Sequence, residues 1–210
     1  MEFRGEETTT LELLGALALP TARGLVPSAL ALEEADGRAV VGLLLFQMRG
    51  LGLRGVPGPS FDYSEALWRI GVVVDGQPAW FAVACDLDHL AVRAMGRLMI
   101  RYPTRAAAIA WTAGDSVTLE VGNPLGAFHV SARPEGSEVA SVPPRRAFVG
   151  GGSLYEVPWR EEPAPFRRVA SVEVLDDSLT LATLGEVSWR RNALLHRGRI
   201  HRCGLARPHR

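Results

Sequence analysis

The chain contains no lysine: all 23 of its basic side chains are arginine. Arginine keeps its proton at any ordinary pH, so no side chain offers a free amine nucleophile, and the α-amine of Met1 is the one primary amine left. Net charge is lacking as well, since 23 acidic residues balance the arginines. Nothing in that balance asks for a nucleic-acid or acidic-membrane partner. Cysteine is scarce: Cys85 and Cys203 stand far apart without CxxC spacing, which excludes a disulfide framework and a zinc-ligand pattern. Long hydrophobic runs are missing too. The apolar stretch from Leu11 to Leu19 carries Glu12 and falls well short of the ~20 residues of a membrane span. Residues Met1 to Glu7 are charged and mixed, unlike a secretory signal. These absences predict a cytoplasmic protein with no membrane partner, no nucleic-acid partner, no metal and no cofactor.

What remains is a chain of 210 residues that is 47% hydrophobic, enough for one core and one domain over 1–210. Within it, 1–19 reads as an N-terminal extension and 204–210 as a basic tail. Most of the rest reads as strand. Arg38 to Met48 is a long apolar run with no polar face, as in a strand buried on both sides. Ala66 to Val74 and Pro78 to Leu87 flank Asp75-Gly76, the strongest hairpin signal in the chain. Further strands are expected over Ser116 to Val121, Ala127 to Arg133, Glu138 to Val142, Arg168 to Leu175 and Glu186 to Arg190. One helix is expected over about 88–100, capped by Asp88, with Leu90, Ala91, Ala94, Met95 and Leu98 at helical spacing and Pro103 ending it. A weaker helix is expected over Thr10 to Ala18, closed by Pro20. Gly50 to Ser60 and Val142 to Pro144 read as loops, and the Gly150-Gly151-Gly152 triplet as a tight turn in preference to a lid. The element order predicts an α+β fold dominated by an antiparallel sheet.

The segment from Phe61 to Arg105 gathers the features that carry chemistry. Tyr63-Ser64-Glu65 precedes the hairpin, Asp86-Leu87-Asp88 ends its second strand, Gly96-Arg97 lies on the helix, and Tyr102-Pro103-Thr104-Arg105 follows. This arrangement resembles the acetoacetate decarboxylase-like superfamily, in which a Tyr-x-Glu leads into a hairpin and a Gly-Arg precedes an aromatic-Pro-Lys-Lys sequence. The chain also resembles that superfamily's DUF2071 group, in length and in lacking the lysine pair. The likeness covers about 45 residues closely and 20–200 loosely. It implies a cone-shaped sheet or partial β-barrel with few helices, a pocket inside the cone, and a homo-oligomer. In the superfamily the first lysine forms an imine with a β-keto acid, and acetoacetate decarboxylase is the standard example of a lysine tuned for this by a neighbouring cation. Here Thr104 stands in the nucleophile's place and Arg105 in its neighbour's, so no imine can form.

A binding site is what the resemblance leaves. Arg105 and Arg97 offer planar forks suited to a carboxylate. Glu65 can hydrogen-bond a ligand, or act as a base if burial raises its pKa. Tyr63 and Thr104 complete the expected lining. The plainer alternatives are a salt bridge pinning Arg97, an ion pair between Glu65 and Arg105, and a strand role for Thr104. Asp86, Asp88 and His89 imitate a metal cluster, but neighbouring residues at a strand end point apart. His196, His201 and His209, among arginines, read as part of a solvated tail. The five tryptophans read as core or cone lining. Ser153 lacks the G-x-S-x-G elbow. Two readings follow: a binder of a small organic acid or apolar metabolite, and a non-covalent lyase or hydrolase with Glu65 as acid–base and Arg105 or Arg97 as carboxylate clamp. A purely structural homo-oligomer is the third and weakest. Incubation with acetoacetate and borohydride is expected to leave the mass of the chain unchanged; a stable adduct would contradict the absence of an imine.

Overall fold

Alternation along the strands explains how so apolar a chain becomes one sheet. The computed structural model describes residues 1–140, 145–150, 153–162 and 166–209. In chain order the first elements are β1 (Glu2–Leu17), α1 (Leu19–Leu25), β2 (Ala31–Leu32), β3 (Glu34–Ala35), β4 (Arg38–Leu53), β5 (Phe61–Val74), β6 (Gln77–Leu87) and α2 (Leu90–Met95), which runs on as a π-helical turn over Gly96–Ile100. There follow β7 (Thr104–Ala106), β8 (Ala108–Ala113), β9 (Val117–Asn123), β10 (Gly126–Ala140), β11 (Arg146–Val149), β12 (Tyr155–Val157), β13 (Trp159–Glu162), β14 (Phe166–Asp176), α3 (Ser178–Thr183), β15 (Val187–Gly204) and β16 (Arg207–Pro208).

All the strands join one sheet in the order β16-β12-β11-β6-β5-β4-β1-β15-β14-β10-β9-β8, with β2, β3, β7 and β13 pairing off this path. The pairings are antiparallel except those of β6 with β11 and with β7. Among the described residues β16 and β8 do not pair, so the sheet is curled but open, a cone and not a closed barrel.

Strand β5 shows why the apolar runs are continuous. Ala66, Trp68, Ile70, Val72 and Val74 enter one core beside Leu43, Leu45 and Phe128. The alternate residues Tyr63 and Leu67 enter a second core beside Phe46, Met48 and Leu87. A strand buried on both faces has no polar side to show. At the β5–β6 turn, Asp75 and Gly76 have φ of 53° and 74°, the left-handed pair that a two-residue hairpin requires.

Three expectations are corrected. The segment Thr10 to Ala18 is not a helix, and 1–19 is not an extension: β1 lies in the middle of the sheet, paired with β4 on one side and β15 on the other. Leu11, Leu13 and Leu17 sit at even spacing and are buried, and two flanking strands supply a ladder that a short leucine-rich segment otherwise satisfies as helix. Pro20 opens α1 instead of closing a helix, a position where its missing N–H costs nothing. Asp88 is not the cap of α2: its carboxylate accepts from the Ser64 N–H at 2.9 Å, and His89 Nδ1 accepts from the Val92 N–H at 3.4 Å. The C-terminal region is not a solvated tail. It forms β15, with His196, Arg199 and His201 buried, and β16, after which His209 packs on Phe148. Of the expected loops, Val142 to Pro144 and the Gly151-Gly152 pair lie outside the described residues.

One buried carboxylate ties the two halves of the sheet together. Asp86 accepts from Trp68 Nε1 at 2.7 Å, from Asn123 Nδ2 at 2.8 Å and from the fork of Arg105, whose Nε lies 2.9 Å away. Asp86→Ala leaves the Trp68 N–H and a partly buried guanidinium unpaired. It is expected to lower unfolding free energy by about 3 kcal/mol. Urea denaturation at constant m checks this, and a midpoint equal to wild type would remove Asp86 from that role.

Candidate functional site

The odd-numbered face of β5 lines the interior of the curl. Tyr63 and Glu65 face a cavity of about 40 Å³ whose walls include Phe46 from β4, Leu87 from β6, His201 and Cys203 from β15, and Trp159 from β13. The helical segment closes one end with Val92, Met95, Met99 and Ile100. The walls are almost wholly apolar, and this sets the chemistry of the groups within. Burial pushes the Glu65 carboxyl up to about 8; the Cys85 thiol, which donates to it, and the charge of Arg69 pull the other way, while Glu7 adds to the rise. Glu65 is therefore largely protonated at neutral pH. Its Oε1 is buried and has no partner among the described residues, and the same is true of the Tyr102 hydroxyl. Burial, with Glu65 nearby, also drives the Tyr63 and Tyr102 hydroxyls well above the ordinary phenol value. Cys203 is pushed up to about 12 for the same two reasons.

Next to this cavity lies a fully buried ionised cluster. Glu7 on β1 accepts from the Thr10 hydroxyl at 2.7 Å and from Arg199 Nε at 3.1 Å, and its other oxygen is 3.0 Å from His201 Nδ1. Burial alone would raise Glu7, but the bond to His201 and the charge of Arg199 outweigh it and bring the carboxyl down to about 2.

A cleft of about 310 Å³ adjoins the cavity, and Tyr102 and Trp159 belong to the walls of both. Arg69 on β5, Arg145, Arg190 and Arg199 give it a cationic lining against Glu12 and Glu33. Arg69 donates to Glu12 at 2.9 Å and stacks 4.4 Å above the Trp80 ring, while Arg145 lies 4.9 Å from the same ring. Arg69 Nε is buried without a partner among the described residues. Arg69 stands four residues after Glu65 on one strand, so the period of two puts both on one face. That period was a signal in the sequence, and it was missed. Glu7 and His201 carried no such signal, being 194 positions apart.

The other expected site residues lie elsewhere. Asp86 and Arg105 are register partners, as are Glu65 and Leu87, so Arg105 is on the opposite face of the sheet from Glu65, and the expected ion pair between them is not formed. Arg105 is held by Asp86 and by the Thr183 hydroxyl at 3.1 Å. Arg97 Nε donates to the Thr104 hydroxyl at 2.9 Å, and that hydroxyl donates to the Arg93 carbonyl at 3.2 Å. This pins the helix over the start of β7. Arg97, Thr104 and Arg105 line a broad open groove with Arg101 and Tyr155, outside the walls of the Glu65 cavity. Asp86, Asp88 and His89 each serve a different partner.

The model of DUF2071, described as an uncharacterized conserved protein, matches residues 19–185. The chain belongs to the DUF2071 family. No curated protein matches this DUF2071 chain. Solved structures do. Acetoacetate decarboxylase from Legionella pneumophila superposes with a TM-score of 0.72 at 13% identity, over 100% of this chain and 88% of that one. The enduracididine biosynthesis enzyme MppR with HEPES bound gives 0.71 at 14%, over 99% and 86%. An acetoacetate decarboxylase-like enzyme from Sphingomonas wittichii RW1 gives 0.66 at 15%, over 100% and 92%. At these identities the likeness is one of fold. Among the described residues of the DUF2071 chain no helix is long and apolar enough to cross a membrane.

The raised Glu65 carries a cost in stability with a defined sign. Between the ordinary value of 4.5 and about 8, the unfolded chain releases this proton and the folded one retains it, so stability falls as pH rises through that window. At pH 7 the penalty is on the order of 3 kcal/mol. Glu7 acts oppositely, contributing stability above 4.5 that is lost as pH falls towards about 2. Glu65→Gln is therefore expected to flatten the stability profile between about pH 5 and 8 relative to wild type, measured by urea unfolding across pH. Parallel profiles for the two proteins would show that Glu65 is ionised in the folded state.

Proposed function

We propose that this DUF2071 protein binds a small organic acid in the interior of its curled sheet, with the carboxylate in the arginine cleft and the apolar body directed to the Glu65 cavity. One observation carries the reading. A single strand face bears both a protonated carboxylic acid in an apolar chamber and an arginine in the adjoining cleft, and each has a buried polar atom with no partner among the described residues. Buried polar groups left unpaired cost about 1–3 kcal/mol each, and a ligand oxygen at either position would offset that. Arg69 and Arg190 take the clamp role expected of Arg105 and Arg97, since those two line the open groove outside the Glu65 cavity.

Concave sites with apolar walls and a few convergent polar groups are the usual form of small-molecule pockets. The fold neighbour MppR has been solved complexed with pyruvate, which supports an acid as the ligand class here. Without lysine, binding in this chain is non-covalent. The second reading, a lyase or hydrolase with Glu65 as acid–base, is supported by the protonated state of the same carboxyl at neutral pH.

Titration calorimetry with straight-chain acids from acetate to octanoate tests the reading. Affinity is expected to rise with chain length and to fall about tenfold, or about 1.4 kcal/mol, in Arg69→Gln and in Arg190→Ala, whose side chain is exposed. Arg105→Ala is expected to bind as wild type does. Equal affinities in wild type, Arg69→Gln and Arg190→Ala would remove the cleft from the site.

A further inference from the structure

We propose that His201 and Glu65 form an acid–base pair for keto–enol proton transfer on a ketone held in the inner cavity, with Glu7 positioning His201 and with the Tyr63 and Tyr102 hydroxyls sharing the carbonyl oxygen. The proposal rests on the binding reading above and adds a reaction and a further catalytic residue. In the sheet, β4 and β1 separate Glu65 on β5 from His201 on β15. The curl nevertheless brings both into the wall of one cavity.

The His201 ring is fixed from three sides. Nδ1 lies 3.0 Å from Glu7, the Phe46 ring stacks at 6.3 Å, and the Trp159 ring meets its edge at 3.9 Å. A carboxylate at Nδ1 selects the tautomer with its proton there, which leaves Nε2 as an acceptor. The His201 ring itself forms part of the cavity wall. Arg199 and Thr10 hold Glu7 ionised, so an imidazolium formed at His201 is stabilised by a carboxylate already in place.

The other wall supplies neutral donors. A carboxylic acid kept protonated by an apolar site can donate to a developing oxyanion, and buried phenols do the same. Glu65 Oε1 and the Tyr102 hydroxyl have no protein partner among the described residues. The remaining ionisable groups facing the pair are Arg69, Arg199, Cys85 and Cys203.

In the forward step the C–H bond α to the carbonyl breaks, and its proton passes to His201 Nε2. The electron pair forms the C=C bond, the carbonyl π pair moves onto oxygen, and the Glu65 proton is delivered there. The product is a neutral enol beside an imidazolium and a Glu65 carboxylate, and the reverse step restores all three. No oxidant or external co-reactant enters. Glu65 and Arg69 are separated by four residues of strand, roughly 13 Å, and the arginine reaches back over part of that span. The substrate class is therefore an acid whose ketone lies several carbons from its carboxylate.

The probe is 5-oxohexanoate in D2O, with wild-type protein and proton NMR. Loss of the methyl and methylene signals flanking the ketone is expected well above the buffer rate. A drop of at least tenfold is expected in His201→Gln and in Glu65→Gln. Tyr63→Phe, which removes only a hydroxyl, is expected to lower exchange without altering the unfolding midpoint. Glu7→Gln is expected to shift the pH at which exchange is half-maximal. Binding without exchange overturns this proposal and leaves the binding reading standing; no binding overturns both. Exchange undiminished in folded Tyr63→Phe and Glu65→Gln would also overturn it.

Discussion

The ladder between β1 and β15 is the constraint on which the interior depends. It joins residues 2–17 to 187–204, nearly the full separation of the chain, and makes the centre of the sheet from its two ends. Irregularities in and beside it set the register: β1 shifts between Leu13 and Gly15 against β15 and after Glu7 against β4, and Gly198 takes a φ of 68° that a side chain would resist. Without this pairing Glu7 has no Arg199 or His201. An unpaired carboxylate at that depth would cost several kcal/mol.

The interior combines two opposite solutions to buried charge. Glu7 stays ionised because it is surrounded by three donors, one of them cationic. Glu65, a short distance away across apolar walls, finds no cation close enough to outweigh burial, and keeps its proton. Their surroundings drive the two carboxyls to opposite protonation states at neutral pH. Of the cleft arginines, Arg69 and Arg145 lie over the Trp80 ring.

Much of the sheet was legible in local pattern. The apolar run of β4, the Asp75-Gly76 turn and the flanking strands follow from side-chain periodicity and turn sterics, and neither needs a distant partner. Tyr63 and Glu65 were legible as neighbours on one strand face because their spacing of two matches the strand period. The pairing of Arg105 with Asp86 was not legible, because the two are adjacent only through the parallel pairing of β7 with β6. The N-terminal segment was misread because its leucines satisfy a helical stripe and a strand alternation equally well, and only the ladders on either side decide between them.

The amino-acid sequence by itself determined that no lysine side chain is available to form an imine, that the chain is a mainly antiparallel sheet with few helices, and that strand β5 carries a Tyr-x-Glu. Those are matters of residue type and short-range spacing. The tertiary structure alone decided that Glu7 meets His201, that His201 shares a cavity with Glu65, and that Arg105 lies on the opposite face of the sheet from Glu65 while Arg69 lines the adjoining cleft. Each of these is a contact across strands, and cross-strand contacts depend on register and curl, which no local window of residues contains.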